Sequence, residues 1–261
     1  MKLLTLNTHS LIEKNPSLKA KILAETILKE KIDVAAFQEV NQSISAEGII
    51  CSDIEGDIKK DNYLSEVMKN LGENHGYKGI WLPIKNGYGK FDEGIAILTR
   101  FEILRVKEFY VSKIIDPANW KTRRILGIET PAGWFFSVHM GFWKDEDSFK
   151  NQWKRLCDNL PCNNKIWLMG DFNSPSHVKN EGYDLILKSS WYDSYNLAKE
   201  KDSGATAKAN IEGWKNGDDE MRIDYIFSNF KADVKSSFVV FNGVREEKIS
   251  DHNGVIIETE A

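Results

Sequence analysis

The run Ile166-Trp167-Leu168-Met169-Gly170 is uninterruptedly apolar, and it ends in Asp171-Phe172-Asn173. Five such residues with no polar alternation read as a strand buried on both faces. An acid at the tip of a buried strand is held rigidly, where a loop would leave it mobile. The same pattern recurs outward along the chain. Strand one closes on Asn7. Asp33-Val34-Ala35-Ala36-Phe37-Gln38-Glu39 is read as ending at Glu39. Trp134-Phe135-Phe136-Ser137-Val138 runs into His139, Arg222-Ile223 leads to Asp224, and Ser250-Asp251-His252 opens the last strand.

Ten short apolar runs are expected as strands: Met1–Leu6, Ile32–Phe37, Tyr77–Ile84, Gly94–Leu98, Ile125–Ile128, Trp134–Val138, Lys165–Met169, Arg222–Phe227, Phe238–Phe241 and Gly254–Ile257. Helical stripes lie between some of them. Ala20, Leu23, Ala24, Ile27 and Leu28 follow Pro16-Ser17. Leu64, Val67, Met68 and Leu71 follow a candidate N-cap at Asp61. Phe149, Trp153, Leu156, Cys157 and Leu160 form a third stripe. Strands outnumber helices too far for simple βαβ winding. The expected architecture is α/β, with two packed, mostly antiparallel sheets and helices outside. No repeat or Pro/Gly/Ser-rich linker breaks the 261 residues, so one domain over 1–261 is expected.

Composition narrows the class. The chain has 41% hydrophobic and 28% charged residues, which excludes a disordered chain. Its 35 Lys and Arg against 39 Asp and Glu give a net charge of −4, without the basic excess of a polyanion-wrapping protein. Cys51, Cys157 and Cys162 are too few and too irregular for a disulfide framework or a zinc site. No secretory signal and no run of roughly 20 apolar residues is present. The expectation is a cytoplasmic protein with no membrane partner.

Each polar strand end taken singly is an ordinary turn residue. Together they assemble a chemistry. Glu39, Asp171 and Asp251, with the amides of Asn7 and Asn173, are hard oxygen donors that suit Mg²⁺ or Mn²⁺ better than zinc. His139 and His252 supply groups that titrate near neutrality. Metal, imidazole and amide together are equipped for in-line attack of water on phosphorus.

Gln38-Glu39, Gly170-Asp171-Phe172-Asn173, Arg222-Ile223-Asp224-Tyr225-Ile226 and Ser250-Asp251-His252, in family order along residues 7 to 252, resemble the motifs of the endonuclease/exonuclease/phosphatase superfamily. That group includes pancreatic-type deoxyribonucleases, exonuclease III-like enzymes, sphingomyelinases and inositol-polyphosphate 5-phosphatases. The resemblance implies a four-layered α/β sandwich. It implies Glu39 as principal metal ligand, with Asn7 and Asp251 beside it. It implies Asp171 orienting or deprotonating water, Asn173 holding a phosphate oxygen, and His252 polarising the phosphoryl group, with Asp224 fixing its tautomer. His139 is similar to the mid-chain histidine of two branches, with Glu93 as its implied partner.

The substrate is read from the loops. Acidic groups fall at Asp53, Glu55, Asp57 and Asp61, at Asp145-Glu146-Asp147, and at Asp218-Asp219-Glu220. Such loops repel a long nucleic acid. Lys121-Thr122-Arg123-Arg124 offers Arg123 and Arg124 as a clamp for one phosphate. Of eight Trp, Trp81, Trp134 and Trp167 read as core. Trp120, Trp143 and Trp214 lie in loops and are candidate platforms for a sugar ring or another apolar face, or for stacking a nucleobase, with Trp143 and Trp214 taken as the substrate-binding pair. Leu6-Asn7-Thr8-His9-Ser10 and Ile211-Glu212-Gly213-Trp214 resemble a bacterial subgroup that includes maltose 6′-phosphate phosphatases. His9 itself reads as a surface histidine. The leading expectation is a Mg²⁺-dependent phosphomonoesterase of a small sugar phosphate. The alternatives are a nuclease or phosphodiesterase of the same fold, and a catalytically inactive binding protein.

Overall fold

The computed structural model describes residues 1–208 and 220–260. In chain order its first half contains β1 (Lys2–Asn7), α1 (Pro16–Glu30), β2 (Val34–Ser43), β3 (Ile54–Glu55), α2 (Tyr63–Leu71), β4 (Lys78–Gly87), β5 (Phe91–Thr99), β6 (Arg105–Tyr110), β7 (Arg124–Thr130) and β8 (Gly133–His139). The second half contains α3 (Phe149–Asn159), β9 (Ile166–Asp171), α4 (Gly182–Lys188), β10 (Tyr192–Asp193), α5 (Ser194–Leu197), β11 (Glu200–Lys201), β12 (Ala207–Lys208), β13 (Glu220–Met221), β14 (Asp224–Ser228), β15 (Val234–Val240) and β16 (Gly254–Thr259). Two large sheets form. One has eight strands in the order β11-β15-β16-β1-β2-β5-β4-β3, and the other has six in the order β10-β14-β9-β8-β7-β6. Most pairings are antiparallel, as expected. The central pairs β1–β2 and β8–β9 are parallel.

Strand alternation builds three apolar layers. Leu3, Val34 and Ala36 point between the sheets, where they meet Leu126, Phe135, Trp167 and Met169. Leu4, Leu6, Ala35 and Phe37 point outward onto α1 and α2. Phe136, Val138 and Leu168 point to the opposite outer face, against α3 and α4. The result is helices, sheet, sheet, helices. Each fully buried large apolar side chain contributes about 1.5–3 kcal/mol. Trp81, Trp134 and Trp167 are core residues.

Local chemistry fixes the helix ends. Pro16 opens α1 and Lys31 closes it in the left-handed region, donating its N–H to Ile27 and Leu28. α2 is capped by Asn62, whose side chain accepts from Ser65 N. Asp61 instead accepts from Ser43 N, which corrects the expected N-cap. β6 and α4 were not expected. β6 is an edge strand carrying Arg105, Lys107 and Glu108, so its pattern is polar.

Topology gathers the functional residues at one end. In parallel β1–β2 and β8–β9 units the chain crosses over through α1 and α3, so all four strands point the same way. Asn7, His139 and Asp171 lie at their carboxyl ends. The starts of antiparallel β5, β14 and β16 come back to that same edge, bringing Glu93, Asp224, Asp251 and His252.

Candidate active site

Glu39 does not end β2. The strand continues to Ser43, and Glu39 sits at a register shift between Phe37 and Val40, in the left-handed region at φ 53°. A bulge re-aims one side chain out of the alternation, and a non-glycine residue held there is a strained conformation of the kind that clusters at functional sites. Asn7 Nδ2 donates to Glu39 Oε1 at 2.9 Å and to Asp171 Oδ2 at 3.3 Å. In this orientation Asn7 offers a donor to two carboxylates. Ser250 Oγ donates to Asn7 O at 2.7 Å and accepts from His252 N at 3.2 Å, which ties the closing Ser-Asp-His segment to β1.

Each residue of the Gly170–Asn173 turn has a physical reason. Gly170 lets β9 approach β8, because a Cβ there would collide with the carbonyl of Val138. Phe172 anchors the turn edge-to-face on Phe227, at 5.0 Å and 86°. Asn173 takes the left-handed region at φ 45°, donates its N–H to Asp171 Oδ1 at 2.8 Å, and donates Nδ2 to Met140 O at 3.0 Å. Asp171 is thereby fixed, with Oδ2 facing His139 Nε2 at 3.7 Å and His252 Nε2 at 3.9 Å. Those separations exceed a hydrogen bond. His252 Nδ1 pairs with Asp224 Oδ2 at 2.9 Å, and both groups are buried.

The electrostatics divide these groups. Burial, then the neighbouring Asp224, pushes the Asp171 carboxyl up to about 7. Burial opposes a charge on His252, but Asp224 and Asp171 overcome it and raise the imidazole to about 10. His139 goes the other way: burial, with Arg123 and Lys85 nearby, holds it well below its ordinary value. Burial and the adjacent Glu93 raise Glu39. Two imidazoles therefore flank one acid, one neutral and one charged at neutral pH.

Asp171, His139, Asn173, His252, Glu39, Glu93, Asp251 and Arg123 line one cleft of about 440 Å³. The sequence expectation for Glu93 needs correction. Its carboxylate pairs with Lys85 Nζ at 3.1 Å, not with His139. Arg124 is also corrected: it leaves the cleft, donating to Pro83 O at 3.1 Å and pairing with Glu108 at 2.7 Å. Arg123, just ahead of β7, lines the cleft while Arg124, the first residue of β7, is engaged elsewhere, so the two do not clamp one phosphate together. Trp143 packs on Phe149 with centroids 6.2 Å apart, within an outer core layer. Trp214 lies outside the described residues. The acidic loops are partly committed to structure. Asp147 pairs with Arg155, Asp53 pairs with Lys78, and Asp145 accepts from Phe142 N. Asp218 and Asp219 lie outside the described residues.

Sequence reasoning missed Lys85 and undervalued His9. Lys85 follows Trp81-Leu82-Pro83-Ile84, and a cation ending an apolar strand was the available signal. His9 lines the cleft, held by Glu13 at 2.8 Å and 3.7 Å from Asp251. Asn86, Tyr88, Trp120 and Phe142 complete the wall.

The donor set fits a hard divalent cation. Glu39 is a half-buried carboxylate raised by desolvation and then by Glu93, and Asp251 adds to that repulsion. A cation relieves such uncompensated charge. Asp171, Asp224 and His252 form a further buried group able to hold a metal, and Asp224 Oδ1 is buried without a partner among the described residues.

A family model described as Endonuclease/Exonuclease/phosphatase family matches residues 4–252. The chain belongs to the endonuclease/exonuclease/phosphatase family. A family protein from Leptotrichia buccalis is 35% identical, with full coverage of both chains and a TM-score of 0.91. A mannosyl-6-phosphatase from Bacteroides thetaiotaomicron shares the fold at 20% identity, full coverage of both chains and TM-score 0.70. A Neisseria 3′ phosphatase bound to product DNA hairpin does so at 16% identity, full coverage of both chains and TM-score 0.66. No curated protein matches. Family members are generally phosphoric ester hydrolases, and the described residues include no helix long and apolar enough to cross a membrane.

Proposed function

We propose that this family member is a divalent-metal-dependent phosphomonoesterase of a small sugar phosphate, such as maltose 6′-phosphate, acting in the cytoplasm. One observation carries the choice of substrate. Lys85 and Arg123 are the only Lys or Arg among the described cleft-lining residues, and both are sunken: Arg123 is 3% exposed. Binding a long polyanion takes surface cations at successive phosphates. Two sunken cations beside Asp171 and His252 serve a single phosphoryl group. The fold neighbour named as a mannosyl-6-phosphatase agrees with this reading at the level of fold.

Glu39 and Asp251, with Asn7 adjoining, would hold Mg²⁺ or Mn²⁺, which would supply Lewis-acid polarisation of the phosphoryl oxygens. The chain's own residues do the rest. Asp171, its carboxyl raised to about 7, orients the attacking water and takes its proton at Oδ2 as the bond from phosphorus to the sugar oxygen breaks, the departing oxygen taking a proton from solvent. Charged His252 donates from Nε2 to a phosphoryl oxygen while Asp224 holds Nδ1. Asn173 fixes the Asp171 carboxylate through its backbone N–H. Neutral His139 faces Asp171 and adds no competing positive charge.

Phosphate release from a panel of sugar phosphates, nucleotides and inositol phosphates, with Mg²⁺, tests the reading beside plasmid nicking. Release from sugar phosphates without nicking is expected. Efficient nicking with no phosphate release would overturn it and favour the nuclease. Inactivity with every metal would favour a binding protein.

A further inference from the structure

Two cations of the cleft share an unexpected acceptor. Lys85 Nζ donates to Trp120 O at 3.1 Å, and Arg123 Nη1 donates to the same oxygen at 2.8 Å. Trp120 belongs to the connection between β6 and β7. The ends of that connection are clasped: Arg123 N donates to Ser112 Oγ at 2.8 Å, and Val111 N donates to Arg123 O at 3.0 Å. Within it, Thr122 Oγ1 donates to Asp116 O at 2.6 Å and Lys121 N donates to Asn119 Oδ1 at 2.9 Å. Asn86 N reaches across from β4 to Pro117 O at 2.7 Å. The loop is therefore built, and its backbone is bolted to the cations facing the reacting centre.

The Trp120 side chain is not core. It lines the cleft and is 55% exposed, although Lys121 Nζ stands 5.5 Å from its ring centroid and covers one face. An indole whose ring is apolar and whose N–H is polar suits a partly wet binding wall. Tyr88, also strongly exposed, lines the same cleft, and Asn86 and Glu93 add amide and carboxylate groups to its wall. A flat apolar face beside hydroxyl-binding edges suits a pyranose, whose ring faces are apolar and whose rim carries hydroxyls.

We infer that Trp120 is a specificity-determining residue, stacking on the pyranose ring of a sugar phosphate whose phosphoryl group is held by Lys85 and Arg123. This rests on the phosphatase reading above. The shared carbonyl holds the Trp120 backbone against the two cations, which puts its indole on the cleft wall beside the phosphoryl site. The site thus favours esters that carry a ring beside the phosphoryl group, and a shorter acyclic ester gains nothing from Trp120.

Steady-state kinetics of the full chain with hexose 6-phosphate, nucleoside 5′-monophosphate and glycerol 3-phosphate test this, comparing Trp120→Ala and Trp120→Phe with the unaltered protein. Trp120→Ala should raise KM for the hexose ester about tenfold, the scale of one aromatic contact. It should leave kcat and the glycerol ester within about twofold, and Trp120→Phe should recover most of the loss. Equal losses on all three esters, or none, would overturn the inference while leaving phosphatase activity established. A loss confined to the nucleotide would replace the pyranose by a nucleobase. Absence of phosphate release from every ester would instead remove the underlying reading.

Discussion

The two sheets present the same device at their carboxyl edges, a parallel strand pair joined through a helix, and fill it with opposite chemistry. The eight-stranded sheet delivers Glu39 and Glu93, and desolvation, then the charge of Glu93, leaves Glu39 raised. The six-stranded sheet delivers Asp171, Asp224 and His139, and its acids also meet an imidazole from across the cleft: His252, entering from the start of β16 in the other sheet, is bonded to Asp224 and faces Asp171. One edge gathers negative charge that a cation would relieve. The other separates acid from base by environment, which is how a site runs both at neutral pH.

The largest break in that contrast comes on the proton-handling side. Asp171→Asn or His252→Ala should lower the rate of phosphate release by about 10²–10⁴-fold, with an unchanged circular-dichroism spectrum. Near-normal turnover in either variant would remove the assignment. A smaller and different effect belongs to the other edge. Glu39→Ala should raise the Mg²⁺ concentration for half-maximal activity by about 10–100-fold, with much of the rate recovered at high Mg²⁺. If excess metal rescued Asp171→Asn instead, the two edges would have to exchange roles.

The edges are joined beneath the cleft. Gln38 Nε2 donates to Ser137 Oγ at 3.0 Å, and Ser137 Oγ donates to Phe37 O at 3.0 Å, across the apolar layer between the sheets. Ser137→Ala would strand a buried amide and a buried carbonyl. A loss of about 1–3 kcal/mol of stability is expected, read from the midpoint of urea unfolding. A negligible shift would mean that the sheets hold their spacing by apolar packing alone.

How much of this was legible depends on period and on direction. All ten apolar runs became strands, because buried strands of Ile, Val, Phe and Trp carry their own signal. Asn7, His139, Asp171, Asp224 and His252 were legible because a polar residue at the tip of an apolar run breaks the pattern. Glu39 was found for the same reason but misread as a terminus. A bulge leaves no mark in a sequence without glycine at that position. Lys85 was obscured because its role comes from a loop folding back over β4, which no local period encodes; Trp120 was legible as a loop indole, but the cations its carbonyl joins were not. Arg124 and Trp143 failed for a simpler reason: proximity in sequence to a motif does not say which face a side chain takes.

That last point yields the smallest predicted effect and a clean test of the strand geometry. Arg123 and Arg124 are adjacent, yet Arg123 turns into the cleft and Arg124 turns out to Glu108, with Tyr110 5.0 Å beneath its guanidinium. The Arg124–Glu108 pair is partly exposed, and such pairs are worth about 0–1 kcal/mol. Arg124→Ala should therefore leave kcat/KM for a sugar phosphate within about twofold and lower stability by no more than that range. Arg123→Ala takes a buried charge-assisted donor from the phosphoryl site, and its loss should fall chiefly on KM. Comparable losses in both variants would mean that the two side chains reach the same phosphate, against the engagement of Arg124 by Glu108 and Pro83 O.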